Sequence, residues 1–128
     1  MNFAQYIKGV QHIGIPTADM DASKSFYEAL GFETIFSCLN GDSRVCFFGR
    51  NGVVFEVYES GEAVGAKGAI DHISIDVSDI EAVYREVCEA GFRIVSCGIE
   101  QLPFFQNGVR FFIIEGPNAE RVEFNQYL

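Results

Sequence analysis

The sequence predicts an α+β domain of two tandem β-α-β-β-β modules, their strands forming a curved mixed sheet with the helices outside. Three observations lead to this. HIGIPTADMDASKSFYEALGF (12–32) and HISIDVSDIEAVYREVCEAGF (72–92) overlay at a constant offset of 60 residues, matching His, Ile, Ile, Asp, Gly and Phe at equivalent places. Within each copy the apolar period changes from that of a strand to that of a helix. Each copy then closes on a strand-like run with an acid set between apolar residues, VVFEVYE with Glu56 and RVEFNQY with Glu123.

Taken in order, VQHIGIP (10–16) puts Ile13 and Ile15 on one face and His12 and Gly14 on the other, the alternation of a half-buried strand. Asp19 precedes MDASKSFYEAL, where Met20, Phe26, Tyr27 and Leu30 recur at helical spacing and Gly31 stands where a left-handed cap ends a helix. ETIFSCL, SRVCFFG and VVFEVYE follow as strands, separated by Asn40-Gly41 and Asn51-Gly52. Asn-Gly suits tight hairpins because both residues tolerate positive φ. In the second copy IDHISIDV sets Ile73, Ile75 and Val77 on one face and His72, Ser74 and Asp76 on the other. Ser78 or Asp79 caps IEAVYREVCEA, which stops at Gly91. FRIVSCG, the long connection IEQLPFFQNG, the strand VRFFIIE, a Gly116-Pro117-Asn118 turn and ERVEFNQ complete the copy.

The Gly-rich SGEAVGAKG (60–68) reads as a linker between a first module at 8–59 and a second at 69–127. Neither copy has more than about sixty residues, so both are expected to share one core in a single domain over 1–128.

Bulk properties narrow the function. Apolar residues make up 48% of the chain, thirteen of them Phe, enough for a core without staples. No apolar run approaches the roughly 18 to 20 residues of a membrane-spanning helix. MNFAQYIKGV lacks the apolar stretch of a signal peptide, and a cytoplasmic protein is expected. A net charge of −9 argues against nucleic acid, whose binding needs a basic surface, and against an anionic membrane. Cys38, Cys46, Cys88 and Cys97 lack CxxC spacing. They are expected to be reduced, mostly buried small hydrophobes.

The chemistry-bearing residues are symmetric. His12 and His72 are the only histidines and hold the same repeat position, while Glu56 and Glu123 fall in the final strand of each copy. With Ile13, Ile15, Ile73, Ile75, Val122 and Phe124 turned toward the helices, the opposite faces carry His12, Glu56, His72 and Glu123. The four converge if the two copies close into one curved sheet. Imidazole nitrogen and carboxylate oxygen suit a borderline divalent ion, and the absence of thiolate argues against a closed structural zinc site. Glu59, Asp71 and Asp76 are expected to be structural or exposed. Tyr58 shares the Glu56 face. Phe104 and Phe105 read either as an apolar lid or as packing against a partner subunit.

Two β-α-β-β-β modules, SFYEALGF and EGPNAERVEF together resemble the glyoxalase/bleomycin-resistance superfamily, the vicinal-oxygen-chelate fold, over residues 10 to 126. Within it the full set of His12, Glu56, His72 and Glu123 is most similar to bacterial glyoxalase I, the lactoylglutathione lyase. The resemblance implies one divalent ion per site, with nickel, cobalt or zinc foremost and iron or manganese as alternatives. It also implies a small-molecule substrate and a homodimer whose sites lie within one chain or across two. The implied reaction converts a methylglyoxal-thiol hemithioacetal to a 2-hydroxyacyl thioester, with Glu123 as principal base and Glu56 as second acid/base. Pro16 stands where those lyases commonly carry an Arg for the glutathione carboxylate, leaving Arg44, Arg50 and Arg110 as substitutes. The alternatives are another metalloenzyme of the fold, an epimerase or dioxygenase, and a non-catalytic binding or resistance protein.

Overall fold

Ile13 and Ile15 turn toward a helix packed on their sheet, and this orients the first module. The structure is a computed structural model describing residues 3–6, 8–68 and 70–128. Residues 1, 2, 7 and 69, the last being the expected start of the second module, lie outside the described residues. After a short 3-10 turn at Phe3–Tyr6, module one runs β1 Ile13–Thr17, α1 Met20–Ala29, β2 Glu33–Asn40, β3 Ser43–Arg50 and β4 Val53–Glu59. Module two runs β5 Ile73–Asp76, α2 Ile80–Glu89, β6 Arg93–Ile94, β7 Glu100–Leu102, β8 Val109–Glu115 and β9 Arg121–Tyr127.

The helix boundaries follow the capping chemistry of the sequence. Asp19 accepts from the Ala22 amide at 3.0 Å and Asp79 from the Ala82 amide at 3.1 Å, satisfying donors that the first helical turn leaves free. Gly31 and Gly91 follow the two helices at φ +95° and +79°, where a Cβ would be strained.

Strand order is β1-β4-β3-β2 in one sheet and β5-β9-β8-β6 in the other, with β7 also on β8. In both, the first strand of the module runs parallel to its last. Asn51-Gly52 forms the two-residue turn between β3 and β4, both at positive φ. The preceding hairpin is displaced by one residue from expectation. Asn40 still pairs with Ser43, so the loop is Gly41-Asp42.

FRIVSCG does not form one strand. The Ser96 hydroxyl accepts from the Ile113 amide at 3.0 Å, taking the place of a backbone carbonyl, and Gly98 turns the chain at φ +65°. The ladder therefore breaks into β6 and β7, the latter inside what the sequence presented as a loop.

The cysteines also differ from expectation. Cys46 is half-buried and Cys38, Cys88 and Cys97 are exposed, because β2, α2 and the turn after β6 point them outward. Their small size fits either environment.

Each helix covers one face of its sheet. Met20, Tyr27, Phe32, Phe48, Phe55 and Val57 form one buried cluster; Ile80, Val87, Phe112, Ile114, Val122 and Phe124 form the other. Phe26, Leu30 and Ile75 pack against both, and the Phe26 ring meets Phe92 edge-on. A buried polar cluster adds a second link between modules. The Thr17 hydroxyl lies 2.9 Å from Ser23 Oγ and 2.8 Å from Asn118 Oδ1, and Asn118 Nδ2 donates to Ser23 Oγ at 2.9 Å. No strand ladder joins the two sheets among the described residues.

Candidate metal centre

The register of each sheet places a histidine beside a glutamate. Gly14 on β1 is opposite Glu56 on β4, and Ser74 on β5 is opposite Glu123 on β9. His12 and His72 precede these strands by one residue, on the face that Gly14 and Ser74 share with the acids. His12 Nε2 lies 3.7 Å from Glu56 Oε1, and His72 Nε2 lies 3.9 Å from Glu123 Oε2. These gaps exceed a hydrogen bond. Zinc takes nitrogen and oxygen ligands at about 2.0–2.2 Å each, so one ion can span either gap.

The pairs remain apart in the chain. Among the described residues no three His, Cys, Asp or Glu side chains gather where they could hold an ion. Each module thus contributes half of the expected four-residue set, because the contacts joining the modules run through the helix-covered faces and leave the His/Glu faces of the two sheets unjoined.

The half-sites are not equivalent. Glu123 is buried, with its side chain 11% exposed, and accepts from Asn125 Nδ2 at 3.3 Å. The Glu56 side chain is 29% exposed. It lines a groove of about 480 Å³ with Tyr58, Val45 and Asn40, so Tyr58 does stand beside Glu56. On the same face Phe47 pairs with Glu56 across the ladder, meets the His12 ring edge-on, and in turn meets Phe36, which is 58% exposed. A second cavity of about 400 Å³ lies beneath the linker between Pro16, Val64, Lys67, His72, Asn118 and Arg121. Phe104 and Phe105 are exposed, and Phe105, at φ +60°, rests edge-on against Tyr127.

Two of the arginines offered for a substrate carboxylate are engaged elsewhere. Arg44 binds Glu59 at 3.2 Å and Asp21 of α1 at 3.1 Å, which raises its pKa, and Arg110 binds Glu81 of α2 at 2.9 Å. Both therefore lie on the helix side of their sheets.

Sequence alternation set Asp71 aside, but the structure puts it against a candidate ligand. Asp71 Oδ2 accepts from His72 Nδ1–H at 2.9 Å, and Asp71 Oδ1 binds Lys67 Nζ at 2.7 Å. Lys67 first, and then His72, hold the Asp71 carboxyl down to about 2. In module one Gln11 Oε1 faces His12 Nδ1 at 3.0 Å. The signal was present in the repeat: Gln11 and Asp71 occupy equivalent places, both with an acceptor oxygen. Asp71 is exposed, as alternation led one to expect, yet it still reaches His72 because both pairs precede their strands, where neighbouring side chains need not point to opposite faces.

A family model described as Glyoxalase/Bleomycin resistance protein/Dioxygenase superfamily matches residues 9–124. The chain belongs to this superfamily. Its relative YwbC of Bacillus subtilis (strain 168), described as an uncharacterized protein, is 32% identical over 128 residues, covering 93% of this chain and 98% of that one. Solved structures share the fold at lower identity. The glyoxalase family protein from Enterococcus faecalis superposes with a TM-score of 0.79 at 20% identity, covering 94% of this chain and 98% of that one. The fosfomycin resistance protein FosX from Listeria monocytogenes, complexed with Mn(II) and sulfate, gives a TM-score of 0.70 at 17% identity, covering 95% and 94%. The α+β architecture of this chain is that of the vicinal-oxygen-chelate superfamily. No helix among the described residues is long and apolar enough to cross a membrane.

Proposed function

We propose that the protein is a metal-dependent isomerase of glyoxalase I type, working as a homodimer in which His12 and Glu56 of one copy meet the partner subunit's His72 and the partner subunit's Glu123. The observation that carries this reading is the pairing of one histidine with one glutamate in each module at gaps of 3.7 and 3.9 Å, with the pairs apart in the chain. The strands that His12 and His72 immediately precede, β1 and β5, are the edges of their sheets, so a second copy can extend both sheets across those edges. Exposed Phe36 beside the His12/Glu56 face supports an apolar contact there.

A nitrogen-and-oxygen donor set of this kind suits nickel, cobalt or zinc, with iron or manganese as alternatives. Held by His12 and Glu56 with the partner subunit's His72 and the partner subunit's Glu123, a divalent ion would supply Lewis-acid stabilisation of the negative charge developing on the substrate. The chain's own carboxylates do the proton transfer. For a hemithioacetal of methylglyoxal, Glu123 removes the proton from the carbon bearing the thioether and hydroxyl, leaving an ene-diolate. Return of that proton to the neighbouring carbon, from Glu123 or Glu56, and transfer of the hydroxyl proton to the former ketone oxygen yield the 2-hydroxyacyl thioester without net redox change. The enclosure of Glu123 supports its role as principal base, since a base screened from water keeps the abstracted proton for the substrate.

The test is thioester formation from methylglyoxal with a panel of thiols, after reconstitution with nickel, cobalt or zinc. Turnover with at least one thiol, abolished by chelation, is expected. Inactivity with every thiol in a fully metallated dimer overturns the reaction. The Mn(II) in the FosX structure supports a second reading, a Mn(II)-dependent reaction on fosfomycin, tested by its consumption with the same protein.

A further inference from the structure

Gln11 and Asp71 stand at positions 60 residues apart, each immediately before a histidine. Their side-chain oxygens lie 3.0 and 2.9 Å from the Nδ1 of that histidine. An amide or carboxylate oxygen can only accept, so Nδ1 must carry the hydrogen, and in the neutral ring the lone pair is then on Nε2. In both modules Nε2 is the atom that faces the glutamate. The two acceptors differ in strength. Asp71 is charged and is held by Lys67 of the linker at 2.7 Å, whereas Gln11 is neutral. Hydrogen bonds to a charged acceptor are roughly twice as strong as those between neutral groups.

We propose that Gln11 and Asp71 are positioning residues that fix the tautomer of His12 and His72 with Nε2 bare toward Glu56 and Glu123, and that they do so unequally, His72 being the more firmly set. The ligand role of the histidines rests on the metal reading above, but the tautomer does not, because it is a property of the metal-free chain. Asp71 would add electron density to His72 as well as orient it, making the second half-site the better donor pair. Loss of such outer partners typically lowers metal affinity by about 10–100-fold.

The experiment uses the full-length chain with Asp71→Ala, Asp71→Asn and Gln11→Ala. Nitrogen-15 spectra of the histidine side chains are recorded on metal-free protein at a pH where both rings are neutral, and zinc affinity is read by competition with a chromogenic chelator. The expected result is that wild-type His12 and His72 both carry their hydrogen on Nδ1. Asp71→Ala should shift His72 alone toward the Nε2–H form and weaken zinc by about 10–100-fold. Asp71→Asn keeps an acceptor and should preserve the tautomer, and Gln11→Ala should cost less affinity than Asp71→Ala. An unchanged His72 spectrum in Asp71→Ala, loss in Asp71→Asn equal to that in Asp71→Ala, or equal affinity losses at the two positions overturns the proposal. Wild-type protein that binds no zinc or nickel, with the tautomers as expected, overturns the metal reading and leaves the tautomer assignment standing.

Discussion

Asn118, in the turn before the last strand, places its Oδ1 2.8 Å from the hydroxyl of Thr17, a residue 101 positions earlier. Thr17 and Ser23 are fully buried, so the amide of Asn118 supplies hydrogen bonding that water cannot. A turn that reads as punctuation in the sequence is thus a fastening between modules.

Removing it should be costly. Asn118→Ala leaves Thr17 and Ser23 with fewer partners in a dry setting, worth about 1–3 kcal/mol of stability. Urea unfolding at constant slope measures the loss. An unchanged midpoint would show that Thr17 and Ser23 satisfy each other.

Tyr27 predicts alkaline behaviour. Its ring is fully buried and its hydroxyl donates to Glu120 Oε2 at 3.0 Å. Burial chiefly, and the Glu120 charge and hydrogen bond after it, push the phenol well above its ordinary range. The folded chain therefore keeps a proton that the unfolded chain loses near pH 10 or so. Stability from this source is full below about pH 10 and falls as pH rises above it. Tyr27→Phe should be less stable than wild type near neutral pH, by about 1.5–3 kcal/mol for a hydrogen bond to a charged group. The gap should close above about pH 10. Urea midpoints for both proteins across this range decide it, and a constant gap would assign the alkaline loss to other groups.

His12→Ala and His72→Ala should each lose most bound metal by elemental analysis, and EDTA should lower the melting temperature of wild type but of neither variant. If the site spans two copies, mixing the two inactive variants through a dissociation step restores intact sites. Random pairing makes about half the dimers mixed, each with one intact site of two, so about a quarter of wild-type activity should return. No recovery from a mixture shown to contain mixed dimers would place both half-sites within one chain.

Glu123→Gln separates coordination from proton transfer, since an amide oxygen still binds metal but does not take up a proton near neutral pH. Turnover should fall by at least about 10²–10⁴-fold with part of the metal retained. Glu56→Gln should fall less if Glu123 is the principal base. Full activity in a fully metallated Glu123→Gln removes it from that role.

Much of this was legible in the chain. The repeat, the caps at Asp19 and Asp79, the stops at Gly31 and Gly91 and the facing of Ile13 and Ile15 are local or periodic features, and local backbone energetics express them directly. The shared facing of His12, Glu56, His72 and Glu123, opposite the helix-packed Ile, Val and Phe residues, followed from alternation, whereas which histidine meets which glutamate came from the strand register of the fold.

Other features depended on contacts distant in sequence. The split of FRIVSCG required the Ser96 hydroxyl to meet Ile113 across the sheet, whereas the contact of Asp71 with its neighbour His72 is local and arises where the chain leaves strand geometry just before β5. The division of the four ligand candidates into two half-sites was decided by the tertiary structure alone. The same alternating sequence is compatible with modules closed around the His/Glu faces or joined through the helices. Phe26, Leu30 and Ile75 packing against both cores, together with the Thr17–Ser23–Asn118 cluster, select the second arrangement within one chain.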